Sequence, residues 1–142
     1  MSRLMLLTSV CVIGLTTAAS AETIKFQAAM ASKSEVPANT SAGTGDAKAT
    51  LDTATKVLRY TVTFKALTGP ATAAHFHGPA ASGANAGVAI PLGAKDPAAP
   101  ITGSATLTDA QIKDLEAGLW YVNVHTAANP GGEIRGQVSR AP

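Results

Sequence analysis

Three histidines carry the clearest chemical signal in this sequence. His75 and His77 stand two apart in Ala74-His75-Phe76-His77, and His125 closes the run Trp120-Tyr121-Val122-Asn123-Val124-His125. Both runs read as strands, along which side chains alternate between faces. His75 and His77 therefore leave one face and Phe76 the other. In the second run Tyr121, Asn123 and His125 share a face opposite Trp120, Val122 and Val124. If Phe76 and Val124 enter the core, all three imidazoles project away from it, and neighbouring strands would gather them on one surface. Neutral imidazole suits Cu, Zn, Ni and Fe, and the affinity of a nitrogen site peaks at Cu(II). The chemistry expected of His75, His77 and His125 is thus transition-metal binding, with copper first and zinc as the alternative. Glu35, Asn123, Glu133 and water are candidates for a fourth position, which three protein ligands leave open. The plainer alternative is a polar outer face on which each histidine finds its own hydrogen bond.

Other chemistry finds little support. Ser82 and Ser104 have no nearby His–Asp context, and the nine acidic residues form no distinctive pair of the kind glycoside hydrolysis needs. There is no G-x-x-x-x-G-K-[ST] phosphate loop. Glu133 and Arg135 share a strand face, where they could pair or support a binding site. The ordinary alternative is an exposed charge pair, worth little. Trp120 and Tyr121 read as core and near-core packing. No signature of an enzyme stands out, and a copper or zinc enzyme would need an open coordination position beside a pocket.

These residues depend on a β scaffold. Ile24, Phe26 and Ala28 alternate with Lys25 and Gln27. Leu58, Tyr60, Val62 and Phe64 alternate with Arg59, Thr61, Thr63 and Lys65, the clearest strand of the chain. The Ala47–Arg59 stretch supplies its hairpin partner and turn. Residues 34–46 and 80–87 are rich in Ser, Gly, Ala, Asn and Pro and read as loops. Val88–Leu92, interrupted by Pro91, reads as an edge strand. One helix is signalled. Thr108 and Gln111 form a capping box, Ile112 and Leu115 share a face, and Gly118 ends it. Leu119–Thr126 and Glu133–Val138 make the last two strands. Seven or eight short strands with one small helix predict an all-β Greek-key sandwich.

The N-terminus reads as an export signal. Arg3, the apolar run Leu4–Leu15 and the small residues Ala19-Ser20-Ala21 predict cleavage after Ala21. The run is shorter than the ~20 residues of a membrane-spanning helix. The sole cysteine, Cys11, would leave with the signal, so the remaining domain has no thiol for a disulfide or a metal. Arg3 is also the one charged residue among the first 21, leaving a formal +1 on residues 22–142 with no basic patch. Neither nucleic acid nor a membrane is expected as a partner of the mature form. The expected location is periplasmic or secreted.

The blocks Ser34-Glu35-Val36-Pro37, Gly43-Thr44-Gly45, His75-Phe76-His77, Tyr121-Val122-Asn123-Val124-His125-Thr126 and Gly132-Glu133-Ile134-Arg135-Gly136-Gln137 together resemble the CHRD domain of bacterial exported proteins and of chordin. The resemblance spans about residues 23–139. It implies an immunoglobulin-like or superoxide-dismutase-like β-sandwich and no well-established activity. Through chordin, which binds growth factors, it also suggests a structural or protein-interaction module with a protein partner. The H-x-H pair is similar to the copper strand of copper/zinc dismutases. Three histidines are too few for both dismutase metal sites, however, and the cysteines of the usual disulfide are missing. Dismutase activity is therefore not carried over.

Overall fold

The computed structural model describes residues 21–142. The expected signal, residues 1–21, lies outside the described residues apart from Ala21. Among the described residues nine strands form: β1 Thr23–Ala31, β2 Thr44–Asp52, β3 Val57–Lys65, β4 Ala71–His77, β5 Val88–Pro91, β6 Ile101–Thr106, β7 Tyr121–Thr126, β8 Ile134–Gln137 and β9 Ser139–Arg140. An α-helix, α1 Asp109–Glu116, joins β6 to β7, and a short 3-10 turn, Ser32–Ser34, follows β1.

Every strand pair is antiparallel. The sheet runs β5-β4-β7-β8-β1-β2-β3-β6, with β9 added to β1. One half is therefore β1-β2-β3-β6 and the other β5-β4-β7-β8. The chain crosses between halves after β3, β5 and β6, which is a Greek-key path. Tyr60 of β3 packs edge-on against Phe76 of β4 at 5.8 Å, although the two strands are far apart in the sheet order. The sheet thus folds over on itself and is nearly closed around one core, as the all-β sandwich reading expects.

Register explains the small inward residues of β2. In β1 the inward residues are Ile24, Phe26, Ala28 and Met30. Across from them β2 places Leu51, Ala49, Ala47 and Gly45, and β3 then presents Leu58, Tyr60, Val62 and Phe64. Small residues of β2 thus stand between the large side chains Phe26 and Tyr60, and between Met30 and Phe64. A Cβ on Gly45 would crowd the Thr63 carbonyl and the Met30 methyl group. Alternating large and small residues across facing positions fills the interior to native density. β2 accordingly begins at Thr44, inside the stretch whose composition reads as loop.

The helix forms as its caps predict. The Thr108 hydroxyl accepts from the Gln111 amide at 3.2 Å, and the Gln111 side chain accepts from the Thr108 amide at 2.9 Å. Leu115 docks it on the core. Gly118, with φ of 72°, turns the chain into β7.

Glu133 is the largest departure from an alternating, half-solvated sheet. It is fully buried, and so is Arg135. They do not form the exposed pair that their spacing allows. The Glu133 carboxylate accepts from Ser41 Oγ at 2.5 Å, from the Thr68 amide at 2.7 Å, from Thr68 Oγ1 at 2.6 Å and from Thr126 Oγ1. Burial alone would raise its pKa, but these donors outweigh burial and hold it at about 2, against an ordinary 4.5. The carboxylate thereby ties the 41 and 68 segments to the end of β7.

A group whose pKa is depressed on folding contributes stability above its unfolded pKa and loses it as pH falls toward the folded one. Glu133→Gln is expected to lower the unfolding free energy by on the order of 2 kcal/mol at neutral pH. The difference from wild type should shrink between pH 4.5 and about 2 in urea titrations. A difference that does not change with pH would contradict this account.

Candidate functional site

β4 pairs with β7 in the register Ala73↔His125, Ala74↔Val124, His75↔Asn123, Phe76↔Val122 and His77↔Tyr121. Opposed residues in adjacent strands project to the same side. Phe76, Val122 and Val124 are buried in the core. His75, His77, Tyr121, Asn123 and His125 therefore face the other way, as strand alternation predicts. That side is not open to water throughout. His75 and His125 are half-buried, and His77 is 9% exposed.

The structure brings the three histidines together. One ring nitrogen from each lies within 4.8 Å of the others. His75 Nδ1 and His125 Nε2 are 3.0 Å apart. Nitrogen–metal bonds of about 2.0 Å place neighbouring ligand nitrogens about 3 Å apart, so this pair already has ligand spacing. The widest pair would need to close by about 1–2 Å to share one ion of that bond length.

Backbone carbonyls assign two of the tautomers. His125 Nδ1 lies 3.0 Å from the Pro130 carbonyl, and His77 Nδ1 lies 3.0 Å from the Ala86 carbonyl. A carbonyl only accepts, so each Nδ1 carries the hydrogen and each Nε2 of a neutral ring keeps its lone pair. This is how metal-binding imidazoles are usually oriented. Burial lowers the pKa of both His75 and His125. For His75 the other two rings add to the effect; for His125 the Pro130 carbonyl opposes it and His77 adds to it. Lowered values keep both rings neutral, the form that binds metal.

Behind His77 the packing is tight. Its ring stacks on Tyr121, with centroids 4.8 Å apart and planes 4° apart. The Arg135 guanidinium lies over the same Tyr121 ring, its Cζ 3.4 Å from the centroid. One ring face cannot hold both, so Tyr121 is sandwiched between them. Arg135 donates to Asn85 Oδ1 at 2.9 Å and to the Ala84 carbonyl at 2.5 Å. These bonds fasten the 80–87 loop, and the same loop supplies the Ala86 carbonyl to His77. Tyr121 Oη adds a hydrogen bond from the Ala86 amide at 3.2 Å.

The other sequence candidates divide. Asn123 is 3% exposed and its Oδ1 stands 3.0 Å from His77 Nε2. Glu35 is buried against Asn123, and its Oε1 has no hydrogen-bond partner. Burial raises the Glu35 pKa to about 7, opposed by the Arg135 charge and by hydrogen bonds from the Val36 amide and the Asn123 side chain. Arg135 supports the site through Tyr121 and the loop. Glu133 is not drawn into the histidine group; its oxygens are taken by Ser41, Thr68 and Thr126. Tyr121 is read from sequence as packing alone, although it shares the strand face of Asn123 and His125. The Ala86 and Pro130 carbonyls carry no side-chain signal that could have marked them.

The model of the CHRD domain matches residues 26–138. No curated protein and no solved structure matches the chain. The match runs from within β1 to the end of β8 and includes every residue of the histidine cluster. On that match, the chain belongs to the CHRD domain family.

Proposed function

We propose that this chain is an exported CHRD domain that binds one transition-metal ion through His75, His77 and His125. Copper is the first choice and zinc the second. The observation that carries this reading is the set of three clustered imidazoles, two of which donate Nδ1–H to backbone carbonyls and so leave the ring lone pair on Nε2, turned toward the cluster or its edge. An incidental polar face would have no need to converge a nitrogen of each of three rings to within 4.8 Å. A nitrogen-only donor set favours copper over the other divalent first-row ions. Binding, buffering or transfer of the metal outside the cytoplasm fits a domain that carries no thiol after Cys11. The second reading, a protein-interaction module, rests on the likeness to chordin, and fold analogy is the weaker warrant.

Calorimetric titration of the tag-free protein with Cu(II) and Zn(II) is expected to give one site, tighter for copper. The triple variant His75→Ala, His77→Ala, His125→Ala should lose it while keeping its β-sheet circular dichroism. Binding that survives in a folded triple variant would move the metal elsewhere, and no binding by the wild type would leave the interaction module.

Export has its own check. The intact mass of the protein recovered outside the cytoplasm should correspond to a chain beginning at Glu22. A chain retaining residues 1–21 would contradict the expected cleavage.

A further inference from the structure

The sheet has two free edges, β5 and β6. They are built differently. β5 is four residues long, carries Pro91, and meets β4 across a register shift between Phe76 and His77. Short length, proline and bulges are the usual protections of an edge against pairing with another chain. β6 has neither the proline nor the bulge. It keeps regular register with β3 over its whole length and holds no charge.

The phase of the β3–β6 ladder decides which backbone groups reach the open side. The Leu107 amide donates to the Lys56 carbonyl at 2.9 Å. In an antiparallel pair, residues that exchange hydrogen bonds alternate with residues that do not. The register Leu58↔Ala105, Tyr60↔Gly103 and Val62↔Ile101 therefore turns the backbones of Ile101, Gly103 and Ala105 toward β3. Those of Thr102, Ser104 and Thr106 turn away from it. These three residues are exposed and line the edge with three N–H and three C=O groups. None of these groups has a backbone partner among the described residues. The row is bounded at both ends. Pro100 has no N–H, and the Thr108 amide is held by Gln111.

We infer that β6 is a homodimer interface: two copies of this chain pair their β6 strands antiparallel about a two-fold axis at Ser104, joining the two sheets edge to edge. In this register Ser104 meets Ser104 of the second copy, and Thr102 meets Thr106 in both directions. Every N–H in the row then finds a C=O, so three of each from each copy close six hydrogen bonds with none left over. A slip by two residues brings Pro100 or the helix cap opposite an end residue and leaves groups unpaired. The side chains suit pairing of like with like. Hydroxyl pairs across antiparallel strands are favourable, whereas like charges directly opposite are not. Arg59, exposed in β3 opposite Ser104, would lie three strand spacings from its copy, roughly 14 Å, beyond the screening length of physiological salt. A foreign peptide is selected by pockets for its alternate side chains, and β6 offers only Thr102, Ser104 and Thr106 outward and Gly103 and Ala105 inward. A second copy needs no pocket, because its own edge supplies the matching row. The interface lies on the half of the sheet opposite β4 and β7, so it does not rest on the metal reading.

Sedimentation velocity of the tag-free protein over a concentration series, with EDTA present so that no metal ion links copies, is expected to show a reversible monomer–dimer equilibrium. Ser104→Pro removes both hydrogen bonds at the axis while suiting an edge strand, and should raise the dissociation constant about tenfold or more. Ser104→Lys and Ser104→Glu each set like charges face to face across the axis and should be monomeric alone. An equal mixture of the two should restore dimers that hold one copy of each kind, which also shows that both variants are folded. A wild type that stays monomeric up to its solubility limit would overturn the interface. A dimer left undisturbed by Ser104→Pro and Ser104→Lys would overturn it too, by placing the contact elsewhere. So would folded, monomeric charge variants that fail to associate when mixed.

Discussion

The antiparallel pairing of β4 with β7 is the constraint on which the site depends. Period-two alternation sends Phe76, Val122 and Val124 into the core and His75, His77 and His125 to the opposite side. The three apolar anchors fix the register, because a slip by one residue would carry histidines into the interior and Phe76 out of it. Phe76 is held further by contacts with Tyr60 and Trp120, both at 5.8 Å. The placement of the three histidines is therefore set by the same burial that drives folding. Strand mounting of this kind keeps side chains within narrow limits without help from a disulfide.

The outer side of these strands is a second, polar interior. Segments near 35–41, 68, 80–87 and 126–132 lie across it, and two buried charges organise them. Glu133 gathers hydroxyl and amide donors from the 41, 68 and 126 segments. Arg135 fastens the 80–87 loop and sandwiches Tyr121 against His77. A buried charge is tolerated only when its hydrogen bonds are made. Each charge thus demands that a particular loop sit in a particular place. The loops in turn deliver the Ala86 and Pro130 carbonyls that orient His77 and His125.

Much of the scaffold is legible in the sequence because its signals are local. The alternation of Leu58, Tyr60 and Val62 marks β3, the Thr108–Gln111 box marks α1, and the shared parity of His75, His77 and His125 puts them on one side of the sheet. The covering of that side is not legible. Ser41 and Glu133 are 92 residues apart, and Asn85 and Arg135 are 50 apart. The loops that join them have no periodicity to announce where they pack. Glu133 and Arg135 therefore look like an ordinary surface pair until topology shows that each is buried with different partners. The small inward residues of β2 are equally opaque in one dimension. They acquire a reason only when Ala49 is seen between Phe26 and Tyr60.

The central claim is that these three imidazoles share one ion. Anomalous diffraction at the copper edge, from crystals of the copper-loaded protein, addresses it most directly. The account predicts a single strong peak about 2.0–2.1 Å from His125 Nε2, His77 Nε2 and a ring nitrogen of His75. A peak bound by other residues, or no peak among the three rings at full copper loading, would contradict it.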